Sequence, residues 1–297
     1  MNPAVANTPL PRPAQPRKFW MGVELGPLVI RAAIYDSSLR YLGKIKLSTK
    51  LERGPEAVMA RVARCIRYTA DECDLEPGQI QGVGVGVPGH VDPDTGQVIR
   101  ASTLDWSRMP LGAVLQDAIE LPVAVENNFQ LGGLGILSTE IPLPITRFAA
   151  LFPGPRIGGA ILQREPGPKS PVENEFAARE NVFHVMPQED YRHFRGKDFK
   201  RALRKGNQQV EEFVRQMAAR TGEIARDLLE KHGVEMIAIG GGVIEEMRAE
   251  ILEIIQRTAG APAGGKTVEW FASQMGDYAT LAGGAALATR RFTKSLR

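Results

Sequence analysis

Three runs near the start of the chain are apolar or alternate between apolar and polar: FWMGVEL from Phe19, LVIRAAIYD from Leu28 and YLGKIKLST from Tyr41. Turn formers separate them, Gly26-Pro27 first and Ser37-Ser38 second, and that arrangement predicts an antiparallel meander. Ala57, Val58, Val62, Cys65, Ile66 and Thr69 then recur at helical spacing behind Pro55, a residue that a first helical turn tolerates. A glycine-dense strand, IQGVGVGVPGHV, ends at Pro88-Gly89, and its glycines suggest that another backbone comes close. The loop DPDTG and a short strand QVIRA come next, then a helix over MPLGAVLQDAIE and a strand over LPVAVEN.

NFQLGGLGILSTE reads as a helix weakened by glycine, and RFAALFP and RIGGAILQ as two strands joined at Gly154-Pro155. Residues 164–195 have no clean period and read as irregular. A long helical region follows from Lys197 to His232 with a break at Gly206-Asn207. VEMIAIGGG is a buried strand ending in a glycine triplet, VIEEMRAEILEIIQRT an amphipathic helix, VEWFAS a short strand and DYATLAGGAALATRRF a closing helix. Strands alternating with helices after a meander give an α/β fold.

Composition narrows the class. Residues 1–17 hold five prolines and no apolar period, which predicts a disordered Pro-rich tail too short for a helix-turn-helix. The formal charge of +3 leaves no large excess of either sign, so nucleic-acid binding is not indicated, and the cluster Arg192, Arg195, Lys197, Lys200, Arg201, Arg204 and Lys205 reads as a solvated helical face. The two cysteines, Cys65 and Cys73, fall about 12 Å apart on one predicted helix, so they neither pair nor offer a zinc spacing. With no apolar span and no signal-peptide core in the first residues, the expectation is a cytoplasmic protein away from membranes.

Seven phrases stand in an order that resembles the ROK family of sugar kinases, repressors and open reading frames: MGVELG…IRAAIYD, GPEAVMARVARCI, IQGVGVGVPGHVDPDTGQVIRA, MPLGAVLQDAIELPVAVEN, RIGGAIL, MIAIGGGVIEE and GDYATLAGGAALA. The resemblance implies the two-lobed actin/hexokinase-like (ribonuclease H-like) fold, each lobe a mixed sheet with helices. It implies an N-terminal lobe over 18–125, a C-terminal lobe over 126–297 whose closing helix, about 276–292, packs back on the first lobe, and a homodimer. Nucleotide and sugar would share the cleft.

The same resemblance assigns the cleft residues. The family's first phosphate turn, D-x-G-G-T-K, resembles Glu24-Leu25-Gly26-Pro27-Leu28-Val29, where Glu24 and Gly26 are kept as nucleotide-binding candidates but proline removes a backbone donor. The family's E-N-D becomes Glu126-Asn127-Asn128, so Asn128 stands at the general-base position without a basic oxygen, while Glu126, Asn127 and Thr103 are the candidates for sugar hydroxyls. The second phosphate turn corresponds to the stretch from Pro153 to Gly159, in which Gly158 and Gly159 remain but two prolines and Arg156 replace small residues. Gly240, Gly241 and Gly242 match the turn beside the adenosine. His184 and Glu175 lie where the sugar-binding acid and histidine would be sought and read as structural or surface residues; the cysteine-rich zinc run is absent.

The function implied is that of a catalytically impaired, sugar-kinase-like protein, a pseudokinase binding a sugar, a nucleotide or another protein, with ATP and Mg²⁺ weakened and no zinc. The second reading is an active ATP-dependent, glucokinase-like sugar kinase using Glu24, Asp105 or Glu126 for the missing acid. A DNA-binding repressor is set aside because no winged-helix segment precedes the fold. Elemental analysis of the purified protein is expected to find no stoichiometric zinc; one tightly held equivalent overturns this.

Overall fold

The computed structural model describes residues 18–141, 145, 147–164, 172–174, 183–184, 194–261 and 267–293. The meander forms as expected: β1 (Phe19–Leu25), β2 (Val29–Asp36) and β3 (Tyr41–Ser48) pair antiparallel, and β4 (Ile80–Val87) and β8 (Val123–Asn127) extend the sheet in parallel to the order β3-β2-β1-β4-β8. A small antiparallel sheet of β5 (His90–Asp92), β6 (Gln97–Ala101) and β7 (Trp106–Met109) stands beside it. The second large sheet is ordered β11-β10-β9-β13-β14, from β9 (Arg147–Phe152), β10 (Arg156–Arg164), β11 (Val172–Asn174), β13 (Met236–Ile239) and β14 (Glu269–Ala272), with β12 (Phe183–His184) also pairing with β10.

Strand alternation sorts the first sheet into two faces. Phe19, Met21, Val23 and Leu25 of β1, Ile30, Ala32 and Ile34 of β2 and the valines of β4 share a core with α1 (Pro55–Glu72) and α2 (Leu111–Ile119). The opposite face carries Trp20, Ala33 and Tyr35 and is covered by the distant helix α7 (Tyr278–Thr293), along which α3 (Asn128–Thr139) lies beside β4 and β8. In the second sheet one face packs on α4 (Gly196–Arg204), α5 (Gln208–His232) and α6 (Gly242–Ala259), and the other on α3 and α7. The result is the two-lobed actin/hexokinase-like α/β fold, with α3 and α7 between the sheets.

The glycines of β4 explain the seating of α7. On the helix-facing side, a β-carbon at Gly84 would stand 2.0 Å from the carbonyl oxygen of Gly284, and one at Gly22 of β1 1.7 Å from that of Leu281. Backbone therefore lies directly on backbone, a separation that no side chain allows.

Three local expectations change. Met109 ends β7 and Pro110 is the N-cap residue of α2, so the helix begins later than the pattern MPLGAVLQDAIE suggests. β5 and β7 are strands of three and four residues, too short to carry a readable period. Within the segment read as irregular, β11 and β12 add short strands against β10. The chain breaks between α4 and α5 at Gly206, whose φ of 69° lies in the left-handed region that glycine adopts freely.

Candidate functional site

Glu24 and Arg31 are cross-strand partners on β1 and β2, and strand alternation puts both on the face that meets α7. Arg31 Nη1 donates to Glu24 Oε2 at 2.6 Å and Nη2 to Asp277 Oδ2 at 2.7 Å. The arginine and glutamate side chains are 17% and 19% exposed, so the pair is largely shielded, while Asp277 is 52% exposed. Burial pushes the Glu24 carboxyl above the usual carboxylate range, and the Arg31 guanidinium pulls against that shift. The other oxygen of Asp277 lies 3.2 Å from where a β-carbon of Gly242 would stand, at the first residue of α6. One guanidinium thus joins the end of β1 to Asp277, which lies against the start of the helix behind the glycine triplet.

The turn after Glu24 is closed on itself. The Gly26 amide donates to Val29 O at 2.9 Å, Thr49 Oγ1 donates to Gly26 O at 2.7 Å, Pro27 has no N–H, and Leu28 is exposed. No run of free amides faces outward from Gly26 and Pro27 to cradle an anion.

At the end of β8 the three matching residues have different occupations. Glu126 Oε1 accepts the Asn127 amide at 2.7 Å; burial raises its carboxyl, against the pull of that hydrogen bond and of Arg291. Asn127 caps α3, its Oδ1 accepting from the Phe129 amide at 2.8 Å while its Nδ2 donates to Gly89 O at 2.6 Å. Asn128 Nδ2 donates to Leu25 O at 3.3 Å, and its buried Oδ1 has no hydrogen-bond partner among the described residues. Room for that amide comes from Gly86, where a β-carbon would sit 2.4 Å from the oxygen. Thr103 lies on the β6–β7 turn, and its hydroxyl is buried and likewise without a hydrogen-bond partner among the described residues.

Aromatic rings stand at the glycine turns. Phe129 and Phe152 stack with centroids 5.7 Å apart. A β-carbon at Gly158 would be 2.1 Å from the Phe129 ring, one at Gly240 2.9 Å and one at Gly241 3.5 Å from Phe152. Gly159 is turned to the other side of β10, against Leu151. Arg156 opens β10 with its backbone paired to His184, and Glu175 lies outside the described residues.

The sequence model of the ROK family matches residues 20–140 and 175–291. The chain belongs to the ROK family. Among curated ROK relatives, a glucokinase from Halalkalibacterium halodurans is 25% identical over 145 residues, 49% of this chain and 44% of that protein. A xylose repressor from Caldicellulosiruptor bescii is 26% identical over 115 residues, 39% of this chain and 29% of that protein. The alignments therefore span less than half the length of these relatives. Among solved structures, a ROK glucokinase from Streptomyces griseus in complex with glucose and AMPPNP superposes with a TM-score of 0.73 at 20% identity, covering 92% of this chain and 99% of that one. A ROK hexokinase from Thermus thermophilus gives 0.66 at 20% identity, covering 93% and 99%.

The ROK resemblance implies Mg²⁺ and ATP, and the acid present at the first turn is engaged within the protein. Glu24 at the first turn and Asp277 just ahead of α7 each give one carboxylate oxygen to the Arg31 guanidinium. Arg31, Asp277, Phe129 and Phe152 were not legible as site residues; the available signal was a lone arginine in the otherwise apolar run LVIRAAIYD.

Proposed function

We propose that this ROK protein is a pseudokinase, a sugar-kinase-like binding or regulatory module that does not transfer phosphate. The observation that carries the reading is the Glu24–Arg31–Asp277 bridge, which commits the acid of the first phosphate turn to a side chain of the protein itself. Phosphoryl transfer depends on positioning and electrostatic stabilisation of the phosphates, and the stacked Phe129 and Phe152 lie where Gly158, Gly240 and Gly241 would otherwise admit a nucleotide. Near the end of β8 the second oxygen of Glu126 and, on the β6–β7 turn, the unpartnered Thr103 hydroxyl are polar groups suited to hydroxyls, which supports a sugar as the ligand class. We take the protein to be a cytoplasmic homodimer; a monomeric mass by light scattering at micromolar concentration would count against the dimer. Among the described residues no helix is long and apolar enough to cross a membrane.

A coupled ATPase and sugar-phosphorylation screen over hexoses, amino sugars and N-acetyl sugars tests the reading, with calorimetric titration of the same sugars beside it. The expected outcome is turnover at the no-enzyme background with saturable binding of at least one sugar. The second reading, an active kinase with an altered site, draws on one observation, the Glu126 carboxyl lifted by burial toward the range of a working base. Turnover that Glu126→Gln abolishes would establish it.

Asn128→Asp alone is expected to leave phosphotransfer at background. A carboxylate there would face the Leu25 carbonyl that the amide now serves as donor, and the missing base is worth only about 10²–10⁴ in rate when the phosphate is already positioned. Asn128→Asp together with Pro27→Gly, Leu28→Thr, Pro155→Gly and removal of Arg31 is the smallest set that could restore activity. Strong activity in the single variant would show that the turns were misjudged.

A further inference from the structure

We propose that Arg31 is a tethered cation standing where a divalent metal would bridge Glu24 and Asp277, so that this end of the cleft excludes divalent ions and whatever binds there does so without one. The inference deepens the pseudokinase reading and rests on it only for the location of the site. Three observations carry it. The guanidinium contacts one oxygen from each of two carboxylates, at 2.6 and 2.7 Å, in the bridging position between them. The two acids come from opposite ends of the chain, 246 positions separating Arg31 from Asp277, and converge on the cation alone. A third acid, Glu245 of α6, packs against Gly276, its Oε2 1.9 Å from where a β-carbon would stand, and adds its charge to that of Asp277, with Lys46 facing Glu24 and Lys44 facing Glu245.

A planar guanidinium on a short, paired strand satisfies two carboxylates without needing water ligands, whereas a divalent ion needs six or more oxygens. While Arg31 is in place an incoming metal meets like charge and finds the inward oxygen of each carboxylate already engaged. Removing the guanidinium and its charge leaves two converging carboxylates, the core of a hard-cation site.

The experiment is Mn²⁺ titration of the full chain at neutral pH, read by the electron paramagnetic resonance of free Mn²⁺ and by the thermal midpoint. The wild-type protein is expected to show no saturable site and a midpoint indifferent to EDTA or millimolar Mg²⁺. Arg31→Met is expected to gain one Mn²⁺ per chain, bound at least about tenfold more tightly than by wild type, and to lose it when Asp277→Asn is added. Folded Arg31→Met that takes up no metal overturns the proposal, as does a wild-type site that Glu24→Gln removes. If Arg31→Met does not fold, the wild-type arm decides alone: no saturable Mn²⁺ site is expected, and one that Glu24→Gln removes overturns the proposal. Sugar phosphorylation in the screen above would sink the pseudokinase reading while leaving this metal measurement to be read by itself.

Discussion

Gly84→Ala is expected to lower the stability of the protein by at least about 3 kcal/mol, and Gly84→Val to prevent soluble folding, as measured by urea denaturation and soluble yield. The reason is the nature of the obstacle. At Gly84 the new methyl would stand 2.0 Å from a backbone oxygen of α7 and 2.9 Å from the Gly284 Cα, and neither can move unless the whole helix lifts off β1 and β4. Two residues earlier on the same face, Gly82→Ala meets only the Phe292 ring, 2.5 Å away near the end of α7, which can swing aside. That variant should cost less than about 1 kcal/mol. Equal effects at the two positions would show that α7 is not seated by the close backbone approach.

Arg31→Met should cost about 3 kcal/mol at pH 8, near the low end for breaking a shielded pair because Asp277 keeps access to water. The penalty should depend on pH in a definite sense. Burial already lifts the folded-state pKa of Glu24, Asp277 adds to that rise, and without the guanidinium Lys46 is the remaining group that pulls it down. The folded variant then binds the Glu24 proton more tightly than the unfolded chain, whose glutamate titrates near about 4.3. By linkage, the stability held below that value is lost as pH rises through the folded pKa, so the gap from wild type should be small at pH 4 and full at pH 8. Urea midpoints of both proteins across that range test this. A gap that widens on acidification would contradict the assignment of Glu24 as the abandoned partner.

Much of this architecture was legible because it repeats locally. The alternation in FWMGVEL and LVIRAAIYD forecasts the meander and its two faces, and the glycines of IQGVGVGV announced a close neighbour that proved to be α7. The positions of Glu24, Asn127 and Asn128 followed from ordered phrases. What those side chains do did not follow, because each is determined by a partner remote in sequence. Asn127 is held by Gly89, Asn128 by Leu25, and Glu24 shares its arginine with Asp277. Phe129 and Phe152 looked like ordinary core residues, and only the crossing of α3 over β9 and β10 brings their rings against the glycines.

The placement of α7 also sets an order of events during synthesis. Its backbone completes one face of a sheet begun at β1, yet Asp277 emerges 246 residues after Arg31. At about 5–20 residues per second the ribosome needs about 10–50 s to cover that interval, during which Trp20, Ala33 and Tyr35 have no helix to cover them. Until α7 emerges the nascent sheet keeps an apolar, glycine-grooved surface open to other chains, so docking of α7 is expected to be a late step in folding. Ribosome-bound chains halted before α7 should be open to protease at β1, and those carrying α7 clear of the exit tunnel should resist it.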